Sequence, residues 1–220
     1  MMTANFEENL LEIKNKLTDI ASGLLESNKI LLSALTDCDP EKFLEARAHI
    51  KNISSKTDDI DNLIIKVLAL YTPEASDLRQ VVAYMKITNE LARACSNTRS
   101  FIRGFTDVCQ DVDVDTIKEY AVPMQTSTVE AIKLSISMIN CTDDDEIQEI
   151  YNDVLIEENK TDDLYEMVER NLSLQADGSS NFEKFHKILR ALRKSGKIAT
   201  RTISIANLLI YAKIGGSFRS

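Results

Sequence analysis

Three observations predict an all-α protein built as two tandem three-helix bundles. Apolar residues recur at alternating steps of three and four along most of the sequence, the spacing that places them on one face of a helix. Glycine and proline are scarce, 6 and 3 in 220 residues, too few for the chain reversals of a many-stranded sheet. The motif Thr57-Asp58-Asp59-Ile60 returns as Thr161-Asp162-Asp163-Leu164, near the middle of the second helix of each half, which points to a duplication with a period of roughly one hundred residues. The expected units are residues 1–108 and 113–215, joined by the Asp-rich stretch from Cys109 to Asp115.

The first helix carries Phe6, Leu10, Ile13, Leu17, Ile20, Leu24 and Leu31 on one stripe. Asp39-Pro40 supplies a cap and a first-turn proline for a second, in which Phe43, Ala46, Ile50, Ile53, Thr57, Ile60, Ile64, Val67 and Tyr71 keep the same spacing without interruption. Thr72-Pro73 reads as the start of a third helix, lined by Val81, Met85, Thr88, Leu91, Cys95, Thr98, Ile102 and Phe105. The fourth presents Ile117, Ala121, Met124, Thr128, Ala131, Ser135 and Met138, with Pro123 either kinking it or setting its start. Thr142 and Asp145 resemble a capping box for the fifth, through Ile147, Ile150, Val154, Leu164 and Val168. Asp177-Gly178-Ser179-Ser180 is a turn, Ser180 and Glu183 form a capping box, and Phe182, Phe185, Leu189, Leu192, Gly196, Ala199, Ile203, Ala206 and Ile210 define the sixth helix, which Gly215-Gly216 ends. Helices of about thirty residues are about 45 Å long, and short connections make sequential neighbours antiparallel.

The formal charge of -9 disfavours a general nucleic-acid binder, which needs an excess of cations at its contact face. Cys38, Cys95, Cys109 and Cys141 lack metal-knuckle or CxxC spacing and read as reduced thiols of the cytosol. With acidic Glu7 and Glu8 near the start and no long apolar run, the sequence predicts a cytoplasmic protein without a signal peptide or membrane span.

No seat for catalysis is apparent. His49 and His186 are the only histidines, each on a polar helix flank, and HExxH, GxSxG, Walker and GxGxxG motifs are absent. Asp58, Asp59 and Asp61, with Glu157, Glu158, Asp162 and Asp163, cluster carboxylates as a hard-cation site would, but the helices expected to face them offer mainly Glu90 or are basic. A solvated acidic face is the simpler reading, and no metal or other cofactor is called for.

The sixth helix bears Lys184 and Arg193, and a stripe of Lys187, Arg190, Lys194, Lys197 and Arg201. Two roles are open to that stripe: pairing with the acids of the fifth helix inside one bundle, or docking an acidic partner or anionic lipid beside a transporter.

The run from Leu68 through Tyr71-Thr72-Pro73-Glu74-Ala75-Ser76-Asp77-Leu78-Arg79, continued by Val81, Lys86 and Ile87, resembles the central signature of PhoU proteins, an apolar helix end followed by Pro-x-Ala-x-Asp-Leu-Arg and then Val and Lys-Ile. The six-helix layout extends the resemblance over the chain. It implies a homodimeric, non-enzymatic negative regulator of phosphate uptake that couples the phosphate transporter's ATPase subunit to a sensor histidine kinase, approaching the membrane only through those partners. It also admits a paralogue serving a different transporter or persistence pathway. Asp77 and Arg79, with Lys187, Arg190, Lys194 and Lys197, are the expected partner-binding residues.

PhoU proteins carry a Glu-Arg-Ile-Gly-Asp type motif in the third helix of each repeat, which with acids of the second helix binds metal clusters in several members. Here those stretches read Ala92-Arg93-Ala94-Cys95-Ser96 and Gly196-Lys197-Ile198-Ala199-Thr200, so both acids are missing in both repeats. Ile50 and Ser54 stand at the acidic positions of the second helix, and Glu158 and Asp162 are the nearest fit in the fifth. The metal sites are therefore not carried over. A metal-storing bundle built on the remaining acids and a helical oligomerisation scaffold are the competing readings.

Overall fold

Each apolar stripe becomes the inward face of a helix. The computed structural model describes residues 2–111, 115, 117–175 and 179–215, and every regular element over them is helical. The helices are α1 (Met2–Ala34), α2 (Pro40–His49), α3 (Ile53–Leu70), α4 (Ala75–Thr106), α5 (Val122–Asn140), α6 (Asp144–Gln175) and α7 (Ser179–Lys213). With α2 and α3 forming one broken rod, α1, α2–α3 and α4 make the first three-helix bundle, and α5, α6 and α7 the second.

The break in that rod departs from the uninterrupted helix that its spacing predicts. Asn52 adopts the left-handed conformation (φ 56°), which asparagine tolerates better than most residues. The carbonyl of Ile50, left without a helical partner, accepts a hydrogen bond from Arg99 Nη1 of α4 at 3.1 Å. Ile50 and Ile53 are both buried, so the apolar pattern runs on while the backbone turns. The turn is accompanied by a close approach to α1: a Cβ at Gly23 would stand 2.7 Å from the carbonyl oxygen of His49. The end of α2 thus rests directly on the α1 backbone.

Two helix starts also differ from expectation, and at a third, one of two open alternatives holds. α4 begins at Ala75, and Thr72-Pro73 instead forms an extended connection, as a residue preceding proline favours. α5 begins at Val122 with Pro123 in its first turn, preceded by a wide π-helical turn (Ile117–Ala121), so Pro123 sets the start instead of kinking a longer α-helix. α6 is capped by Asp143, not Thr142; its Oδ1 accepts from the backbone N–H groups of Asp145 at 3.0 Å and Glu146 at 2.8 Å. The expected turn at Asp177-Gly178 and the Ser180–Glu183 box fall on residues or side chains outside those described. On α7 the buried face is centred on Ile188, Ala191, Ser195, Ile198, Thr202 and Ile205, about one residue away from the predicted stripe, because the helix packs against α4, α5 and α6 at once. Met85 of the α4 stripe is exposed.

The two halves share their cores. One cluster joins Ile13, Leu17, Ile64, Ile87 and Leu91 to Ile139, Val154 and Ile205; the other joins Leu31, Phe43, Phe101 and Phe105 to Met124, Val168 and Ile188. α4 lies along α7, and α1 along α5, whereas α3 and α6 pack chiefly within their own halves. The outer helices therefore carry the repeated acids outward: Asp58, Asp59, Asp162 and Asp163 are exposed, and Ile60 is buried beneath them.

Where the two clusters meet, the four inner helices exchange hydrogen bonds. Asn28 Nδ2 of α1 donates to Leu24 O at 2.8 Å and to Thr98 Oγ1 of α4 at 3.2 Å. Gln125 Nε2 of α5 donates to Asn28 Oδ1 at 2.9 Å. Ser195 Oγ of α7 donates to Gln125 Oε1, also at 2.9 Å, and lies 2.9 Å from Thr128 Oγ1. All five side chains are fully or almost fully buried.

Gly23→Ala tests the contact beside the break in the second rod. Alanine gains about 1 kcal/mol of helix propensity over glycine, but its methyl meets a backbone carbonyl that has no rotamer to yield. The urea midpoint is expected to fall, by a net of about 1–3 kcal/mol in unfolding free energy.

Candidate functional site

The basic stripe of α7 does not turn towards the acids of α6. Arg201 Nη1 instead bonds Glu90 Oε2 of α4 at 3.0 Å, and Lys187, Arg190 and Lys194 line a groove of about 500 Å³ against the C-terminal part of α4. Its opposite wall is Arg103 and Asp107, with Ser100 on the same face. The floor exists because two small residues meet there, a Cβ at Gly104 standing 3.6 Å from Ala191 Cβ, with buried Val108 beside them. Close backbones and long flanking side chains leave a trough between the helices. Four cations and one carboxylate line it, in a chain whose overall charge is -9.

Asp77 and Arg79 lie elsewhere. Asp77 sits in the first turn of α4, where its charge favours the helix N-terminus. The guanidinium of Arg79 packs on the chain beyond α7: a Cβ at Gly215 (φ +90°) would stand 2.8 Å from its Nη1. Twenty-four residues of α4 separate Arg79 from Arg103, which is about 36 Å along a helix. The structure thus brings Lys187, Arg190 and Lys194 together with a partner, Arg103, that the sequence reading missed, and places Asp77 and Arg79 at the other end of α4. Lys197 is exposed on α7, one turn beyond the groove.

On α6, Glu158 is half-buried and accepts a hydrogen bond from Thr200 Oγ1 of α7 at 3.2 Å. Burial, and then the nearby charge of Asp162, pushes its carboxyl above the ordinary glutamate range. Among the described residues no three His, Cys, Asp or Glu side chains converge as a metal-holding group, and no helix is long and apolar enough to cross a membrane. All four cysteines are free; burial pushes the Cys95 thiol up to about 12.

The family model of the PhoU domain matches residues 17–101. That segment resembles a PhoU domain. The chain's fold extends the match beyond those residues: PhoU from Pseudomonas aeruginosa superimposes with a TM-score of 0.84 at 19% identity, covering 96% of this chain and 100% of that one. The phosphate transport system regulatory protein PhoU from Streptococcus pneumoniae superimposes with a TM-score of 0.72 at 18% identity, covering 98% and 99%. No curated protein matches the sequence significantly.

Within this PhoU fold, the positions of the missing acids have specific occupants. Thr200, at the aspartate position of the stretch 196–200, bonds Glu158, so a hydroxyl stands where the family pattern has a carboxylate. Gly196, at the glutamate position, is buried, and a Cβ there would face Met124 Cε of α5 at 4.0 Å. Near the end of α2, Ile50 is buried, and its carbonyl is taken by Arg99.

Because folding raises the Glu158 pKa, the ionised carboxylate disfavours the native state once the pH exceeds the ordinary glutamate value. Glu158→Gln is therefore expected to raise the urea midpoint at neutral pH. The difference from wild type should vanish at about pH 4 and below, where the carboxyl is protonated in both folded and unfolded chains.

Proposed function

We propose that the chain is a non-enzymatic regulator of phosphate uptake and phosphate-responsive signalling, acting by contact with a transporter ATPase subunit and a sensor histidine kinase. The observation that carries this reading is the PhoU-domain match over residues 17–101, set in a fold that covers 96% of the chain in one PhoU structure. The Streptococcus relative is described as a phosphate transport system regulatory protein. On this reading the sign of regulation is negative, the protein works in the cytoplasm as a homodimer, and residues 1–108 and 113–215 are two PhoU repeats.

Two surfaces are assigned to docking. One is the start of α4, with Asp77 in its first turn and Arg79 close to the backbone at Gly215. The other is the basic face of Lys187, Arg190, Lys194 and Lys197. The metal-storing alternative keeps only the Glu158–Asp162 pair with Thr200, a donor set too small for a hard-cation site.

Pull-down of the transporter ATPase subunit and of the kinase by the purified protein in phosphate-replete buffer is expected to recover both. Asp77→Asn is expected to weaken recovery about threefold to tenfold with an unchanged circular dichroism spectrum, the size of a lost interface charge contact. Recovery of neither partner would count against the proposal.

A further inference from the structure

We infer that the groove between α4 and α7 is a binding site for a small soluble molecule carrying several adjoining phosphoryl groups. This builds on the groove as an anion-accepting surface and not on the transporter contact. The first argument is charge. Arg103, Lys187, Arg190 and Lys194 stand around one trough in which Asp107 is the only carboxylate among the described residues, and none of the four cations forms an ion pair with a described residue. Several cations elsewhere have a local counter-charge, as in the pairs Lys56–Asp19, Lys133–Glu130 and Arg201–Glu90. Gathering four like charges is unfavourable unless an anion completes the set.

The second argument is size. Lys187 to Lys194 spans seven residues of α7, about 10 Å, and the trough holds about 500 Å³. A docked helix lays an apolar face into a hydrophobic groove, whereas this floor of Gly104, Ala191 and Val108 is set between charged walls, and Asp107 at one end repels an acidic chain running past it. A compact polyanion of three phosphoryl groups fits that length. A flat lipid surface does not fit a recess between two helices.

The third argument is donor chemistry. Two arginines on opposite walls offer planar forks for bidentate contact with phosphate oxygens, the lysines add mobile point charges, and Ser100 adds a hydroxyl. The close approach of Gly104 and Ala191 fixes the distance between the walls, so the donors are held ready before binding.

The test is isothermal titration of the full-length protein with sodium tripolyphosphate at about 0.15 M salt, with helicity of each variant followed by circular dichroism. The expected result is saturable binding of one tripolyphosphate per chain, at least about tenfold tighter than orthophosphate and weakened by added salt. Arg103→Gln and Arg190→Gln should each weaken it about tenfold, the loss of one charge-assisted contact, with Lys187→Gln as the replacement if either loses helicity. Lys133→Gln, on α5 and paired with Glu130, should leave it unchanged. Absence of saturable binding, an equal loss in Lys133→Gln, or tighter binding to an acidic peptide or anionic vesicles would each overturn the proposal. Recovery of the transporter ATPase subunit is read separately, so the groove and the regulatory role stand or fall independently.

Discussion

The buried hydrogen-bond chain running from Asn28 through Gln125 to Ser195 is the constraint on which the rest of the architecture depends. Amphipathic helices alone tolerate sliding and rotation, since one greasy face packs on another in many registers. A buried amide does not, because a donor left unpaired in the interior costs about 1–3 kcal/mol. Asn28, Thr98, Gln125, Thr128 and Ser195 reach each other only when α1, α4, α5 and α7 sit at one height and one rotation. The network therefore selects a single way of joining the two halves.

The charge distribution follows from that arrangement. Because α1, α4, α5 and α7 are inside, α3 and α6 are left with one face in water, and the Asp58–Asp59 and Asp162–Asp163 pairs lie there at little desolvation cost. The cations of α7 are turned the other way, towards α4, where Glu90 satisfies Arg201 and nothing comparable faces Lys187 or Arg190 among the described residues. Basic groove and acidic exterior are two results of the same helix placement. The separation of Asp77 from Arg103 by the length of α4 then gives the molecule two distinct faces for recognition.

The sequence made the helices legible because burial is periodic: nearly every residue of the α1, α3 and α5 stripes is inside. It concealed the break at Asn52, since Ile50 and Ile53 keep the helical interval across it and neither proline nor glycine marks the spot. The close contact beside the break depends on Gly23, far away on α1, whose meaning depends on what it faces. The candidate groove was half legible. Lys187, Arg190 and Lys194 form a visible stripe, but their partner wall lies more than eighty residues earlier in the chain, and only Gly104 near the end of a long helix signalled a close approach. Arg79 was legible as a family residue and not as the support of Gly215.

Native-state amide hydrogen exchange of the wild type and of Gln125→Leu tests most directly whether the polar seam binds the halves into one unit. Leucine cannot pair with Asn28 or Ser195, so the account predicts that protection falls by the same free energy in α1 and α4 as in α5 and α7. A loss confined to α5 and α7, with α1 and α4 as protected as before, would contradict it.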